Sequence, residues 1–503
     1  MRKLLAFLGW LWGVVLVACY AAVAACIVRI LVGWPMLLVF VPVFAVLLAG
    51  IIIGRFVLVK NGWDKYFLIR AAALLLLTLP LALLSVDAPP LENDYTEADV
   101  RPHDPAVLAS YDTLMKFRRD GGILVQRTFP KEVKNDLAVI ADPLPHAAVI
   151  RQAWDELGEA RKVIVELDQF PGITDIGKDT RFSPDIPIVS FLTLRSTSRR
   201  YAAYARLKVA EGDTQEAARQ VAQLHRVARK SLPHSHMMVT KMTWVAIAKL
   251  NIQTADVILR SPHCDAATLA VLKENFMPLA QEELSMRPTG IYNYFFTKTL
   301  LDEWRKKEGG MSLMHKFEMT SPPRFELAAV ERPIARLGEP FLLRRNRTLR
   351  DLRYLFDMQM EDLSTMPCGP DRAIESTWKL VNGILDGYCE WPGQPVEPAV
   401  ISRLWCYNME GRMLACLAVP SVTSAGRAIT VAKVQSDLLY LDICKRLGEV
   451  PELPDPYTQK PYASDARGRL FSAGPDGKSG TDDDIWADGP REKKPLRRLG
   501  GGK

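Results

Sequence analysis

A mainly α-helical protein is what this sequence predicts, with N-terminal transmembrane helices, an irregular array of helical hairpins and a small C-terminal α+β module. Three observations carry that expectation. The first eighty-odd residues are almost all apolar. Between about Tyr95 and Leu447 the apolar residues recur at helical spacing between Pro- and Gly-marked turns. After that come a short strand pattern and a loop dense in Gly and Asp.

Leu4 to about Ile30, Met36 to about Val59 and Phe67 to Val86 are each long enough to span a bilayer, since a span takes about 20 mostly apolar residues. Residues 1–88 are therefore read as a three-helix membrane anchor. Arg2 and Lys3 precede the first span, and Arg55, Lys60, Lys65 and Arg70 cluster in and beside the loop between the second and third. Asp87, Glu92, Asp94, Glu97 and Asp99 follow the third. By the positive-inside rule the N-terminus is cytoplasmic and the large C-terminal region extracytoplasmic. The expected location is a bacterial inner membrane with a periplasmic body. Leu16-Val17-Ala18-Cys19 and Val23-Ala24-Ala25-Cys26 have the form of lipoprotein cleavage sites. Apolar sequence follows at once where a polar tether belongs, so both cysteines read as residues inside a membrane helix. The spans hold almost no ionisable residues, which fits an anchor and not a transport path.

Residues 95–427 read as an extracytoplasmic helical domain. The clearest unit is a hairpin whose first helix, about Ser190 to Glu211, carries Leu194, Tyr201, Tyr204, Ala205 and Leu207 on one face. Gly212-Asp213 turns the chain, and Asp213 with Glu216 forms a capping-box pattern for the second helix. That helix carries Ala217, Val221, Leu224, Val227 and Ala228 before Pro233. Further helices are expected over about His236 to Leu259 and Asp265 to Met277. The Gly212 turn resembles those of tetratricopeptide-like repeats, but no 34-residue period recurs, so an irregular array is expected.

The chain has 503 residues and a net charge of +7, long enough for more than one domain. Its basic clusters, around Arg195 to Arg206, Arg344 to Arg353 and the tail, lack the interleaved aromatics of a nucleic-acid surface, so no nucleic-acid partner is expected. None of the 8 cysteines forms a Cys-x-x-Cys pair, which argues against zinc and thioredoxin-like chemistry. Cys264, Cys368, Cys389, Cys406, Cys416 and Cys444 leave both disulfides and buried thiols open. His225, His234 and His236 form the one histidine cluster; without a carboxylate or cysteine at ligand spacing, a surface or capping role is expected. No Gly-x-Ser-x-Gly setting points to a nucleophile. No catalytic residue is assigned, and a non-enzymatic protein is expected. A hydrolase whose groups meet only in space remains an alternative.

The most specific chemistry lies in Phe471-Ser472-Ala473-Gly474-Pro475-Asp476-Gly477-Lys478-Ser479-Gly480-Thr481-Asp482-Asp483-Asp484-Ile485-Trp486. Crowded carboxylates repel, and a polycation relieves them. Calcium, which takes six to eight hard oxygen ligands, suits such a loop. Gly474, Gly477 and Gly480 allow sharp turns that aim carbonyls inward. The spacing is not that of an EF-hand. A solvated Asp-Gly turn satisfies the same residues, and both readings stand on the pattern alone.

From about Ala428, an apolar helix leads into Arg446-Leu447-Gly448-Glu449-Val450-Pro451, then Asp455-Pro456-Tyr457 and Lys460-Pro461-Tyr462. This run, residues 428–488, resembles the C-terminal half of type II secretion major pseudopilins, in which a Gly-x-x-Pro segment, an Asp-Pro…Pro-Tyr turn, a strand and a Gly/Asp loop follow a helix. In that family the loop binds a structural calcium ion. The resemblance implies that Asp476, Asp482 and Asp484 are side-chain ligands, with Ser472 and backbone carbonyls near Leu470 completing the sphere. The loop is shorter here, and the pilin N-terminal helix and processing site are absent. The whole arrangement also resembles a group of bacterial membrane-anchored helical proteins with the same ending. The expected function is thus a membrane-anchored extracytoplasmic scaffold or interaction protein with a structural calcium loop. An accessory role in a type II secretion or pilus-like system, with protein partners from that envelope machinery, is the alternative. The basic tail, 489–503, reads as disordered.

Overall fold

The computed structural model describes residues 2–32, 36–59, 78, 87–118, 122–123, 125, 127–130, 133, 135–178, 180, 187–308, 345–364 and 422–489. Over these the protein is mainly helical, as its sequence predicts. The helices in order are α1 (Arg2–Val32), α2 (Met36–Val59), α3 (Pro105–Leu114), α4 (Asp136–Ala141), α5 (Ala147–Asp155), α6 (Gly158–Leu167) and α7 (Phe191–Ala210). They continue as α8 (Thr214–Ser231), α9 (Met238–Arg260), α10 (Ala266–Asn275), α11 (Arg287–Glu308), α12 (Arg345–Ser364) and α13 (Val422–Arg446). The strands β1 (Ala463–Ser464) and β2 (Leu470–Phe471) pair antiparallel, Ala463 opposite Phe471. The third expected span apart from Thr78, the cysteines at 368, 389, 406 and 416, and residues 490–503 of the tail lie outside the described residues.

The chain divides into two compact units. The first holds α1 and α2, together with residues up to Asp94 and the stretches beginning at Thr297 and ending at Leu355. Helix α1 packs on α2, burying Leu16, Val17, Ala21, Ala22 and Ala25. Within α1, Phe7–Ala25 is long and apolar enough to cross a membrane. The apolar stretch found in α2, Leu37–Gly50, is shorter. Elsewhere in this unit Asp87 accepts from the Asn346 and Arg347 amides at 2.9 and 3.2 Å. It thereby satisfies two of the donors that every helix leaves unpaired at its start. Lys298 pairs with Asp94, and Arg345 with Asp302.

The second unit is built around α7, α8 and α9, each packed on the other two. Ser190 caps α7 by accepting from the Thr193 amide, and Asp213 caps α8 from the Glu216 amide. Gly212, at φ +86°, makes the tight turn between them. The apolar faces meet as the spacing requires. Leu194, Tyr201, Ala205, Leu207, Ala217, Val221, Leu224, Val227 and Ala228 are all buried, while Tyr204 is half-buried and stacks on Trp154 at 4.0 Å. Asp265 caps α10, which packs on α8.

One buried arginine ties the early chain to this frame. Arg200, on α7, donates to the carbonyls of Thr128 at 2.7 Å, Ala153 at 2.8 Å and Arg127 at 3.0 Å, and to Glu156 at 3.3 Å. Its fork satisfies the end of α5 and the 127–128 loop together.

Residues 428–488 do not stand apart from the body. Helix α13 packs against α9 and α10, and Tyr462, Ile485 and Ala487 belong to the same hydrophobic core as Trp244 and Val221. The boundary expected near residue 428 is therefore no break in the core.

Candidate functional site

The C-terminal loop is assembled by pairing its two ends. Ser472 and Ile485 exchange backbone hydrogen bonds at 3.0 and 2.9 Å. Next to this bridge Phe471 stacks on Trp486 at 4.7 Å, with the Arg469 guanidinium over the indole at 4.8 Å. The preceding Asp-Pro turn is closed by the Asp455 amide on the Lys460 carbonyl at 2.7 Å. Tyr462 then donates to the buried Asp437 on α13 at 3.0 Å. Gln435 of α13 donates to the Trp486 carbonyl at 3.2 Å, and Lys445 to that of Gly468 at 2.8 Å. The loop is thus held at both ends by the helix that precedes it.

Within the loop, Gly474, Gly477 and Gly480 all adopt positive φ. Gly474 is also sterically required, since a Cβ there would sit 2.2 Å from the Asp483 carbonyl oxygen. The carboxylates fold back onto the backbone. Asp483 accepts from the Asp476 amide at 3.0 Å and the Thr481 hydroxyl at 2.5 Å. Asp476 accepts from the Lys478 amide at 2.7 Å, and Asp484 from the Gly480 amide at 2.9 Å. The Asp476–Lys478 bond is an Asx turn of the kind that Asp forms in loops, and the other three reach back to earlier residues of the loop.

Of the four expected ligands, the structure brings Asp476 and Asp484 into one electrostatic neighbourhood and adds Asp483, which sequence reasoning did not single out. Burial lifts the Asp484 carboxyl above its ordinary range, the Gly480 amide opposes this, and the charges of Asp483 and Asp476 raise it further. The Thr481 hydroxyl instead holds Asp483 below its usual range. One oxygen of Asp484, Oδ1, is buried without a hydrogen-bond partner. Asp482 is exposed. Ser472 faces the other way, donating to Asp455 at 2.9 Å and accepting from the Gly474 amide at 3.2 Å.

The fit to a hard divalent cation therefore rests on Asp484 Oδ1 and the neighbouring Asp476 and Asp483. Among the described residues no three His, Cys, Asp or Glu side chains are gathered in a ligand arrangement.

The histidines separate. His225, on α8, is fully buried and stacks on Phe276 at 4.3 Å, so it is neither a surface nor a capping residue. Burial, with Arg229 and Arg226 beside it, pushes its pKa down to about 3. His234 lies against Gly172, where a Cβ would come within 2.5 Å of its ring. His236 sits at the start of α9, where the buried Asp175 accepts from its amide at 2.8 Å, from the Met237 amide at 3.0 Å and from Nδ1 at 3.3 Å. Asp175 thus caps a helix that begins some sixty residues later, a role no local sequence signal announces. One turn on, the buried Lys241 donates to the Leu232 carbonyl and to that of Glu283 at 2.8 Å. Burial lowers its pKa to about 7, against the charges of Asp175 and Glu283. An amine of that pKa is a potential nucleophile, but this one is sealed in the core and committed to two carbonyls. Cys19, Cys264 and Cys444 are free thiols.

Comparison with known proteins adds no relative: the chain matches no family model, no curated protein and no solved structure.

Proposed function

We propose that this chain is a non-enzymatic scaffold anchored in a bacterial inner membrane. Its N-terminus is cytoplasmic, its helical body is extracytoplasmic, and its C-terminal loop is closed by a structural calcium ion. The apolar α1 supports the anchor. The burial of His225, His236, Asp175 and Lys241 supports a packing role for the groups that would otherwise draw attention as catalysts.

The observation that carries the calcium reading is the buried, unpartnered Oδ1 of Asp484 beside the carboxylates of Asp476 and Asp483. A divalent ion there supplies the missing partner and relieves the repulsion. Asp484 would hold it with loop carbonyls, the nearby charges of Asp476 and Asp483 would favour it, Asp482 would serve as an outer carboxylate, and Ser472 would brace the loop through Asp455. Because the loop is fixed to α13, and α13 packs on α9, such an ion would stiffen the body's packing as well. Proteins of a secretion or envelope system are the partner class that the resemblance of residues 428–488 to pseudopilins suggests.

The test is a thermal melt of the full chain in detergent, with chelator and with calcium in hundredfold excess over its dissociation constant. Calcium is expected to add about 3 kcal/mol, which raises the melting temperature of a chain this long by roughly 3–5 °C, and Asp484→Asn should abolish the increment. Identical melts in chelator and in millimolar calcium would refute the site.

A further inference from the structure

Helices α7 and α9 leave a trough open between them, of about 820 Å³. Met238, Met242, Ile247 and Leu250 of α9 line it along one stripe, with Phe191 of α7 and Leu137 of α4 at its edges. Large apolar groups stand in solvent here: Leu137 is 61% exposed, Val239 50% and Phe191 47%. An apolar concavity of several hundred Å³ with a few polar groups is the usual form of a small-ligand site. Methionines on its wall adapt to flexible chains.

The polar groups lie together. Arg195 and Arg199, one turn apart on α7, line this trough and also a second cleft of about 240 Å³. That cleft is lined further by Arg127, Thr128, Ser196 and Asp136. Arg199 pairs with Asp136 at 3.2 Å, whereas Arg195 is exposed and has no carboxylate partner among the described residues. Among the described residues, three arginines and one carboxylate thus line this cleft. The cleft is cationic and opens beside an apolar trough along two shared residues. The buried Arg200 fixes the 127–128 edge of the cleft by its bonds to those two carbonyls.

We propose that this continuous surface binds a lipid with an anionic phosphate head. The phosphate would sit on Arg195, Arg199 and Arg127, and the acyl chain would lie along the Met238–Leu250 stripe. Guanidinium forks match phosphate oxygens in bidentate geometry. The trough suits one acyl chain better than a protein surface, since a stable protein interface needs a broader patch. The proposal does not depend on calcium at the C-terminal loop.

The test is native mass spectrometry of the full chain in detergent, titrated with palmitoyl lysophosphatidate or with palmitoyl lysophosphatidylcholine. Lysophosphatidate is expected to bind at least about tenfold tighter, because the choline head offsets the charge that the arginines read. Arg195→Glu, at an exposed position, should weaken it about tenfold or more with an unchanged melting temperature. Ala246→Trp, also exposed and lining the trough, should block the tail to a similar degree. Equal binding of the two lipids overturns the proposal, as does lysophosphatidate binding that neither substitution changes. No binding to the native chain overturns it too.

Discussion

Replacing His225 with leucine should make the protein markedly less sensitive to acid. The imidazole is fully buried, its two nitrogens have no hydrogen-bond partner, and its pKa in the folded state is about 3. In the unfolded chain the same group titrates near 6.5. Between these values the unfolded state binds a proton that the folded state refuses, so stability falls as pH drops through 6.5 and levels off near 3. By pH 4 the difference amounts to about 2.5 pH units of linkage, or about 3 kcal/mol lost relative to pH 8. Leucine cannot titrate and also removes two orphaned polar atoms, at the expense of the stacking on Phe276. The measurement is urea unfolding of the full chain in detergent at pH 4 and pH 8, followed by tryptophan fluorescence. Carboxylates titrate equally in both proteins, so the double difference isolates His225. It should come to about 3 kcal/mol. The same loss of stability on acidification in both proteins would refute the reasoning.

Two substitutions test the frame around the sites. Arg200→Met removes the donor shared by the Thr128, Ala153 and Arg127 carbonyls and should cost about 3 kcal/mol, read as a fall in denaturation midpoint. Gly474→Ala forces a Cβ onto the Asp483 carbonyl at positive φ and should cost about 1–3 kcal/mol; limited proteolysis should then cleave within residues 474–484 before any other described loop.

The helical hairpin was legible because its signals are local. Leu194 to Leu207 and Ala217 to Ala228 repeat at the helical period, and Asp213 stands where a cap must stand. The Gly/Asp loop was legible for a similar reason, its glycines falling where positive φ is needed. What escaped depends on distance along the chain. Arg226 and Arg229 make the neighbourhood of His225 look solvated, yet both reach outward, Arg226 to Asp168 at 2.6 Å and Arg229 to Glu283 at 2.8 Å, while the ring between them turns inward. Asp175 gives no hint that it caps α9. Ser472 looks like a loop ligand until the Asp455 turn, seventeen residues earlier, is folded beside it. Asp483 is not among the expected ligands, and only the folded loop shows it accepting the Asp476 amide.

The return of α13 to lie on α9 has a consequence for how the protein is made. Α ribosome must finish α10, α11 and α12 before it delivers the helix that covers α9, so the central trio waits through that interval with one side bare. Long-range closure of this kind is slow and leaves the nascent chain open to misassociation. A product cut short before Val422 would lack the helix that packs on this side of α9.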